Sequence, residues 1–412
     1  MENVTIACAQ QRMSILPTPE GFVAQARRFL RQAQAKSAQL VIFPELTGVM
    51  LAPPLISRFK LGFIKRADWG SHPRAGFMAR RVGRVAGATA GALGGGFRGS
   101  LERLLRKNSD ALRDVYLETF GNLAREFGTA IVGGSLYLYD AETETVRNRA
   151  YLFDAHGEVL GFQDKLNLAS DEQELASPGT DSTVFQARFG PVGLLIGRDA
   201  IYPELARLLA VQGAELLVGI AASPGAPQAR VIRTALTLRA EENQVFVAAS
   251  FLLGPNYLGR ENREDYFGQS ALLAPISLSD QGDGILVEAG TNRTEGLIAA
   301  ELDAEELHVL WKTSHFRPRR EMHLGNLGPA LAEMYRDGLS IEQAIEQRIA
   351  GPVGPTPEPV DFRPVSPAEP TPELPEGELE SPVPPVPEAL SLTGHHRAEA
   401  EQQPSQTDRS EQ

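Results

Sequence analysis

Three apolar runs in this chain each end in a polar residue that could take part in proton-transfer or acyl chemistry. LVIFPEL (40 to 46) presents Glu45 after Pro44, the segment ending LGFQDK presents Lys165, and GLLIGRDAIYPE (193 to 204) presents Gly197, Arg198 and Asp199 before a helix start at Tyr202-Pro203-Glu204. In open α/β sheets, ligands gather at the carboxyl ends of the strands. A carboxylate and an ammonium converging there have the environment that general acid and base catalysis needs. The third run carries a glycine where a reactive side chain is expected, so a covalent step has no obvious atom there. Arg198 cannot give up its proton, and the chain's single cysteine, Cys8, lies inside an apolar run near the start, where it reads as an inert core thiol.

The elements that must position these residues alternate from the start. VTIACAQ (4 to 10) reads as a strand, GFVAQARRFLRQAQAKSA (21 to 38) sets Phe22, Ala26, Phe29, Leu30 and Ala33 on one helical face, and LVIFPEL is a second buried strand. Strands are expected at 129 to 140, 148 to 165, 182 to 197, 215 to 223, 244 to 254, 266 to 275 and 294 to 303, with hairpins around His156-Gly157 and Phe189-Gly190. Helices are expected at 110 to 127, 202 to 212 and 230 to 243. The pattern predicts one mixed α/β domain over residues 4 to 303, then a C-terminal extension over 304 to 350, where Leu339, Ile341, Ile345 and Ile349 form an apolar helical stripe.

Two segments break the pattern. Residues 51 to 109 form an insertion far longer than an ordinary strand-to-helix connection. Within it, residues 58 to 107 carry twelve Lys or Arg against two acids, and a small-residue run, GATAGALGGGF, follows at 87 to 97. Three readings stay open: a lid folding back on the acidic body or tail, a segment lying on an anionic membrane surface, and phosphate cradling by Gly94-Gly95-Gly96, for which no preceding strand is expected. Residues 351 to 412 hold fourteen of the 29 prolines and a net charge of −9, a composition expected to stay disordered. With a net charge of −12 and an acidic body, nucleic acid is not an expected partner. One cysteine excludes a disulfide framework or a thiolate metal site; no metal or cofactor is expected. No apolar run is long enough to span a bilayer, so a cytoplasmic protein is expected, with peripheral membrane contact left to the insertion.

Taken together, the motifs resemble the nitrilase, or carbon-nitrogen hydrolase, superfamily over about residues 4 to 303. AQQ (9 to 11), FPE (43 to 45), the hairpin ending in Lys165, PGT (178 to 180), the D-x-x-x-P-E run from Asp199 to Glu204, RAEENQVFVAAS (239 to 250) and YFGQSALLAP (266 to 275) occur in that family's order. The resemblance implies a four-layer αββα sandwich, dimerised through helices beside the active site, and hydrolysis or condensation of nonpeptide C–N bonds in nitriles, amides and carbamoyl compounds. It makes Glu45 the base and Lys165 the lysine that stabilises the tetrahedral oxyanion, and it puts Gly197 where the cysteine nucleophile belongs. A fourth family residue, a second glutamate, corresponds to Glu172 or Glu174, for both of which a surface acidic turn is the alternative. Arg198, Glu172 and Glu174 are the candidate substrate-binding residues, whereas Asn148, Glu204 and Arg239 read as architecture. The implied function is a pocket for a small amide, nitrile or carboxylate with catalysis impaired or lost. The alternatives are an amidase using activated water or an atypical nucleophile, and a scaffold acting through the basic insertion.

Overall fold

The computed structural model describes residues 1–56, 96–259, 264–316 and 318–321. Most of the basic insertion, the apolar stripe at 339 to 349 and the acidic tail lie outside these residues. The body falls within one compact unit, Met1–Leu327. In chain order it comprises β1 (Val4–Arg12), α1 (Pro19–Gln34), β2 (Leu40–Ile42), α2 (Gly96–Phe127), β3 (Ala130–Asp140), β4 (Thr145–Phe153), β5 (Val159–Asp164), β6 (Phe185–Ala187) and β7 (Gly190–Ile196). There follow α3 (Pro203–Val211), β8 (Leu216–Ala221), β9 (Ser223–Pro224), α4 (Ala226–Asn243), β10 (Phe246–Leu253), β11 (Tyr266–Phe267), β12 (Ala271–Leu273), β13 (Ile285–Glu288), β14 (Gly296–Leu302), α5 (Ala304–Thr313) and α6 (Pro318–Glu321).

Strand pairing makes two sheets that meet at one corner. β14, β1, β2, β3, β4 and β5 form the first, with β1, β2 and β3 parallel and the rest antiparallel. The second contains β6, β7, β8, β10, β12 and β13, with β7, β8 and β10 parallel. The corner is a short parallel register between β1 and β10, Gln11 to Leu252 and Arg12 to Leu253. Three apolar clusters then define four layers. Val4, Ile6, Ile42, Val132, Leu194, Val218 and Phe246 pack between the sheets; α1 and α2 cover the outer face of the first sheet through Phe22, Phe29, Tyr116 and Phe120; α3 and α4 cover the second through Leu205, Leu209, Ile232 and Leu236. Strands buried on both faces explain why their sequences are continuous apolar runs rather than alternating ones. The expected αββα sandwich is the observed architecture.

Helix α1 follows its expected stripe, with Phe22, Ala26, Phe29, Leu30 and Ala33 buried and the Thr18 hydroxyl accepting from the Gly21 N–H at the N-cap. Helix α2 departs from expectation. It begins at Gly96 rather than near residue 110, so the last part of the insertion is helical. Phe97, Leu101, Leu104, Leu105 and Leu112 are buried along it, and Phe97 meets Tyr257 edge-on at 6.2 Å. Burial of that stripe overrides the helix-weakening glycines, which carry only a modest intrinsic penalty. Beyond β14, α5 also joins the body, burying Ala304 and Leu307 and donating a hydrogen bond from Trp311 to the Gln244 carbonyl. Among the described residues, no helix is long and apolar enough to cross a membrane.

Candidate active site

Glu45 lies just beyond β2, where the chain turns sharply. Leu46 adopts a left-handed conformation, with φ of 63°, and its N–H donates to the Ser135 hydroxyl. The turn is possible because Gly134 lies beneath it: a β-carbon there would come within 2.2 Å of the Pro44 carbonyl oxygen. Glu45 is almost fully buried. Its carboxylate accepts from Lys165 Nζ at 2.8 Å, from Asn148 Nδ2 at 3.0 Å and from the Ala222 N–H at 2.8 Å. Asn148, read as architecture from the sequence, therefore touches the candidate base, and the Ala222 amide could not be foreseen because a backbone donor leaves no mark on residue type.

Lys165 follows β5 and reaches the same point. Besides Glu45, it donates to both oxygens of Glu172 at 2.7 Å. Glu172 accepts further from the Ala169 N–H at 2.8 Å and the Tyr137 hydroxyl at 3.3 Å. The alternatives for the second glutamate separate here. Glu172 belongs to the cluster, while Glu174 points away, 40% exposed, and pairs with Arg98 at 3.3 Å. Glu174 is thus set aside as a cleft residue, because two steps along this turn carry its carboxylate to the outer side. Tyr137, which looked like one more apolar strand residue, is a member of the site.

Gly197 opens a 3-10 turn, Gly197–Ala200, at the end of β7. Its φ is +55°, and a β-carbon built on it would lie 2.7 Å from Glu45 Oε2 and 2.9 Å from Lys165 Nζ. Any side chain at this position would therefore point into the ion pair. Asp199 holds the turn against the other strand ends: its buried carboxylate accepts from the backbone N–H groups of Ile196, Leu166 and Asn167 and from the Asn167 side chain. Arg239 braces the same turn through the Ala200 and Ile201 carbonyls, consistent with its reading as architecture, and Glu204 sits exposed in the first turn of α3. Sequence reasoning identified three strand ends; these bonds bring them together.

Burial and charge separate the two carboxylates. Burial, opposed by the Lys165 ammonium, raises the pKa of Glu45 above the ordinary glutamate range, and the neighbouring Glu172 charge adds to the rise. Burial acts on Glu172 too, but the Lys165 ammonium and its hydrogen bonds outweigh it and hold that carboxyl low. Lys165 itself would be lowered by burial, yet Glu172 and Glu45 together keep it high and protonated. The arrangement is one cation shared by a permanent carboxylate and a more basic one, the division expected where a site needs a proton acceptor. Cys8 offers no substitute nucleophile. It is fully buried between the sheets, and burial pushes its thiol far up.

A cleft of about 60 Å³ opens over this cluster, with Tyr137, Arg198, Gln228, Asn256 and Tyr266 in its wall. Arg98 stands there too, fixed by the Asp171 and Leu258 carbonyls and by Glu102 and Glu174. Counted at the sequence level with a lid or membrane segment, Arg98 is part of the cleft. A larger hollow, about 370 Å³, lies at the opposite ends of the strands, lined by Leu30, Ala38, Thr129 and Phe189; it lacks a buried titratable cluster, so size alone does not locate the chemistry. Among the described residues, no group of His, Cys, Asp or Glu has a metal-binding arrangement.

The profile of the carbon-nitrogen hydrolase family matches residues 5–310. A probable hydrolase of Bacillus subtilis is 30% identical over 194 residues, 47% of this chain and 37% of that protein. An omega-amidase of Saccharomyces cerevisiae is 30% identical over 200 residues, 46% of this chain and 64% of that one. In both, the match spans less than two thirds of the relative's own length. Among solved structures, a carbon-nitrogen hydrolase from Helicobacter pylori superposes with a TM-score of 0.57 at 18% identity, covering 82% of this chain and 99% of that one. Yeast Nit3, of the nitrilase superfamily, gives 0.53 at 22% identity, covering 77% and 97%. Those two likenesses speak for the fold, whereas the profile spans most of the sequence, and on that ground the chain belongs to the carbon-nitrogen hydrolase family.

Proposed function

We propose that this chain keeps the family's cleft without its covalent chemistry, and binds a small molecule with an amide, nitrile or carboxylate group without turning it over. The observation that carries this reading is Gly197, whose absent side chain would project between Glu45 and Lys165. The motif order puts the family's nucleophilic cysteine at this residue. Glycine has no atom that can form the corresponding covalent bond. What stays is recognition: Lys165 and Glu45 still line a cleft, beside Gly197 and Arg198. That cleft is small beside the cavity of about 150 Å³ known to admit benzene, so it suits a compact polar group.

One observation favours a second reading, water-mediated amide hydrolysis. The raised pKa of Glu45 suits a general base, and relatives of this chain carry amidase names. The two readings part in one assay: ammonia release from a panel of small amides, nitriles and carbamoyl compounds, run beside calorimetric binding on the full chain. Binding with no release above the buffer rate is expected. Steady release that disappears in Glu45→Gln would overturn the proposal in favour of the second reading.

The family resemblance also brings in a homodimer through helices beside the active site. Here α3 and α4 expose Leu208, Val211, Val231 and Leu238, each between 47% and 64% accessible. Such a cluster of large apolar side chains is typical of an association surface. Light scattering is expected to show a dimer for the native chain and a monomer for the Leu208→Glu, Leu238→Glu double variant. A native chain that stays monomeric at high concentration would count against it. A membrane role rests on residues 58–107, of which only the end is described. There Phe97, Leu101, Leu104 and Leu105 are buried in the body and are not free to insert into lipid.

A further inference from the structure

Two loops from different sheets wall the cleft. Residues 169–176 follow β5 in the first sheet and carry Glu172; residues 254–259 follow β10 in the second and carry Asn256 and Leu258. Each has its own internal bonds. The Ala169 carbonyl accepts from the Glu172 and Gln173 N–H groups, and the Glu172 carbonyl from those of Leu175 and Ala176; the Asn256 side chain accepts from the Leu258 and Gly259 N–H groups. Arg98 is bonded to both loops at once. Its Nη2 donates to the Asp171 carbonyl at 2.9 Å, on the first loop, and its Nη1 to the Leu258 carbonyl at 3.2 Å, on the second. The mount beneath it is rigid: Glu102, one turn along α2, accepts from Nε at 3.2 Å, Phe97 meets Tyr257 edge-on, and Leu101 and Leu105 bury the same stretch of helix in the body.

We propose that Arg98 sets the size of molecule this cleft admits, by clasping the two loops at a fixed separation. This rests on the reading of the cleft as a binding site and adds what limits entry to it. Arg98 acts on the shape of the cleft rather than on a ligand's charge, because Asp171, Leu258, Glu102 and Glu174 already occupy most of its N–H groups. The bonds to the two carbonyls are charge-assisted and therefore the stronger ones, whereas the ion pair to Glu174, 40% exposed, adds little. Reaching two carbonyls on separate loops requires the planar fork of a guanidinium; a lysine brings the same charge as a single point. With the clasp closed the cleft measures about 60 Å³. Without it, the side chain's own volume is vacated and both loops lose their shared donor. Arg98 lies in the insertion at 51 to 109, so this limit belongs to that segment and is separate from the three strand ends that carry the cluster.

A thiol placed at the floor of the cleft reads its width directly. Full-length Gly197→Cys is treated with iodoacetamide and with iodoacetanilide, the same reagent bearing a phenyl ring, and each rate is divided by that on free cysteine. With Arg98 in place, iodoacetamide is expected to label roughly tenfold faster or more, the discrimination a close-fitting pocket gives against added bulk. Gly197→Cys, Arg98→Ala is expected to bring the ratio near one through a rise in the iodoacetanilide rate, and Gly197→Cys, Arg98→Lys to resemble it. Alanine keeps the helix, being its best former. Equal rates with Arg98 present, a ratio that survives in Arg98→Ala, or one fully kept in Arg98→Lys would each overturn the inference. If Gly197→Cys does not fold or does not react, hydrogen exchange carries the comparison with Gly197 in place. Arg98→Ala is then expected to lose protection at the Leu175 and Ala176 amides and at those of Leu258 and Gly259 together, with α1 unchanged; protection kept in either loop overturns the clasp. Labelling requires neither binding nor turnover of a small amide. Ammonia release by the native chain, or no uptake of any amide, therefore sinks binding without turnover and leaves the clasp standing, whereas a ratio indifferent to Arg98 sinks the clasp alone.

Discussion

Lys165→Met is expected to destabilise the protein by about 3–5 kcal/mol at neutral pH, the cost of stripping one partner from a buried ion pair. Lys165 is 4% exposed and lies 2.8 Å from Glu45 and 2.7 Å from Glu172. Without it, two carboxylates face each other with no counter-ion. Both would then titrate above their unfolded value, so the folded state binds more protons than the unfolded state between the two pKa values, and stability falls as pH rises through that window. The variant should therefore recover stability on acidification, and Glu45→Gln added to it should recover much of the loss at neutral pH. In the native chain the two carboxylates oppose one another. Glu45, raised, contributes stability that is lost as pH rises through its folded pKa; Glu172, lowered, contributes stability that is lost as pH falls through its own. Denaturant unfolding followed from about pH 3 to about pH 8, on both sides of the ordinary glutamate range, measures all of this. A Lys165→Met chain as stable at neutral pH as the native one would mean that the cluster is not charged as described.

Legibility in the sequence followed the physics of each residue. Glu45 and Gly197 could be picked out because each ends a buried run, where any polar residue or break must have a reason; Lys165 follows a largely exposed strand and was legible only from its place after the hairpin. Glu172 and Glu174 could not be told apart, since the difference lies in which carboxylate faces Lys165, and that depends on a turn anchored by the Ala169 N–H. Tyr137 was invisible because a buried tyrosine in a strand looks the same whether its hydroxyl meets a carboxylate or a carbonyl. The start of α2 was obscured by the basic residues around it: charge dominates the reading of 96 to 109, while burial of Phe97, Leu101 and Leu105 decides the structure. The four-layer arrangement needed the family resemblance, because periodicity shows that strands are covered on both faces but not by what.

Gly197→Cys is expected to give a native-state thiol that can be alkylated and a measurable amidase. The price in stability is about 1–2 kcal/mol, since a β-carbon must adopt the left-handed backbone that glycine takes without strain, at φ of +55°. The close contacts, 2.7 Å to Glu45 Oε2 and 2.9 Å to Lys165 Nζ, are with the ends of long side chains, which can yield by moving apart. Their separation is what the reaction requires, for the sulfur then lies between a base able to take its proton and an ammonium able to face the developing oxyanion. Gly197→Ala supplies the control, carrying the same backbone strain without the thiol. Iodoacetamide should label the folded Gly197→Cys chain once and the native chain not at all, because Cys8 stays buried with its thiol pushed up. Ammonia release from at least one small amide should rise about 10²-fold over Gly197→Ala, a typical contribution of a positioned base, and fall back in Gly197→Cys, Glu45→Gln. A chain that folds and is alkylated but releases no ammonia from any substrate in the panel would show that the loss of the cysteine was followed by remodelling of the cleft, and that Glu45 and Lys165 now serve only each other.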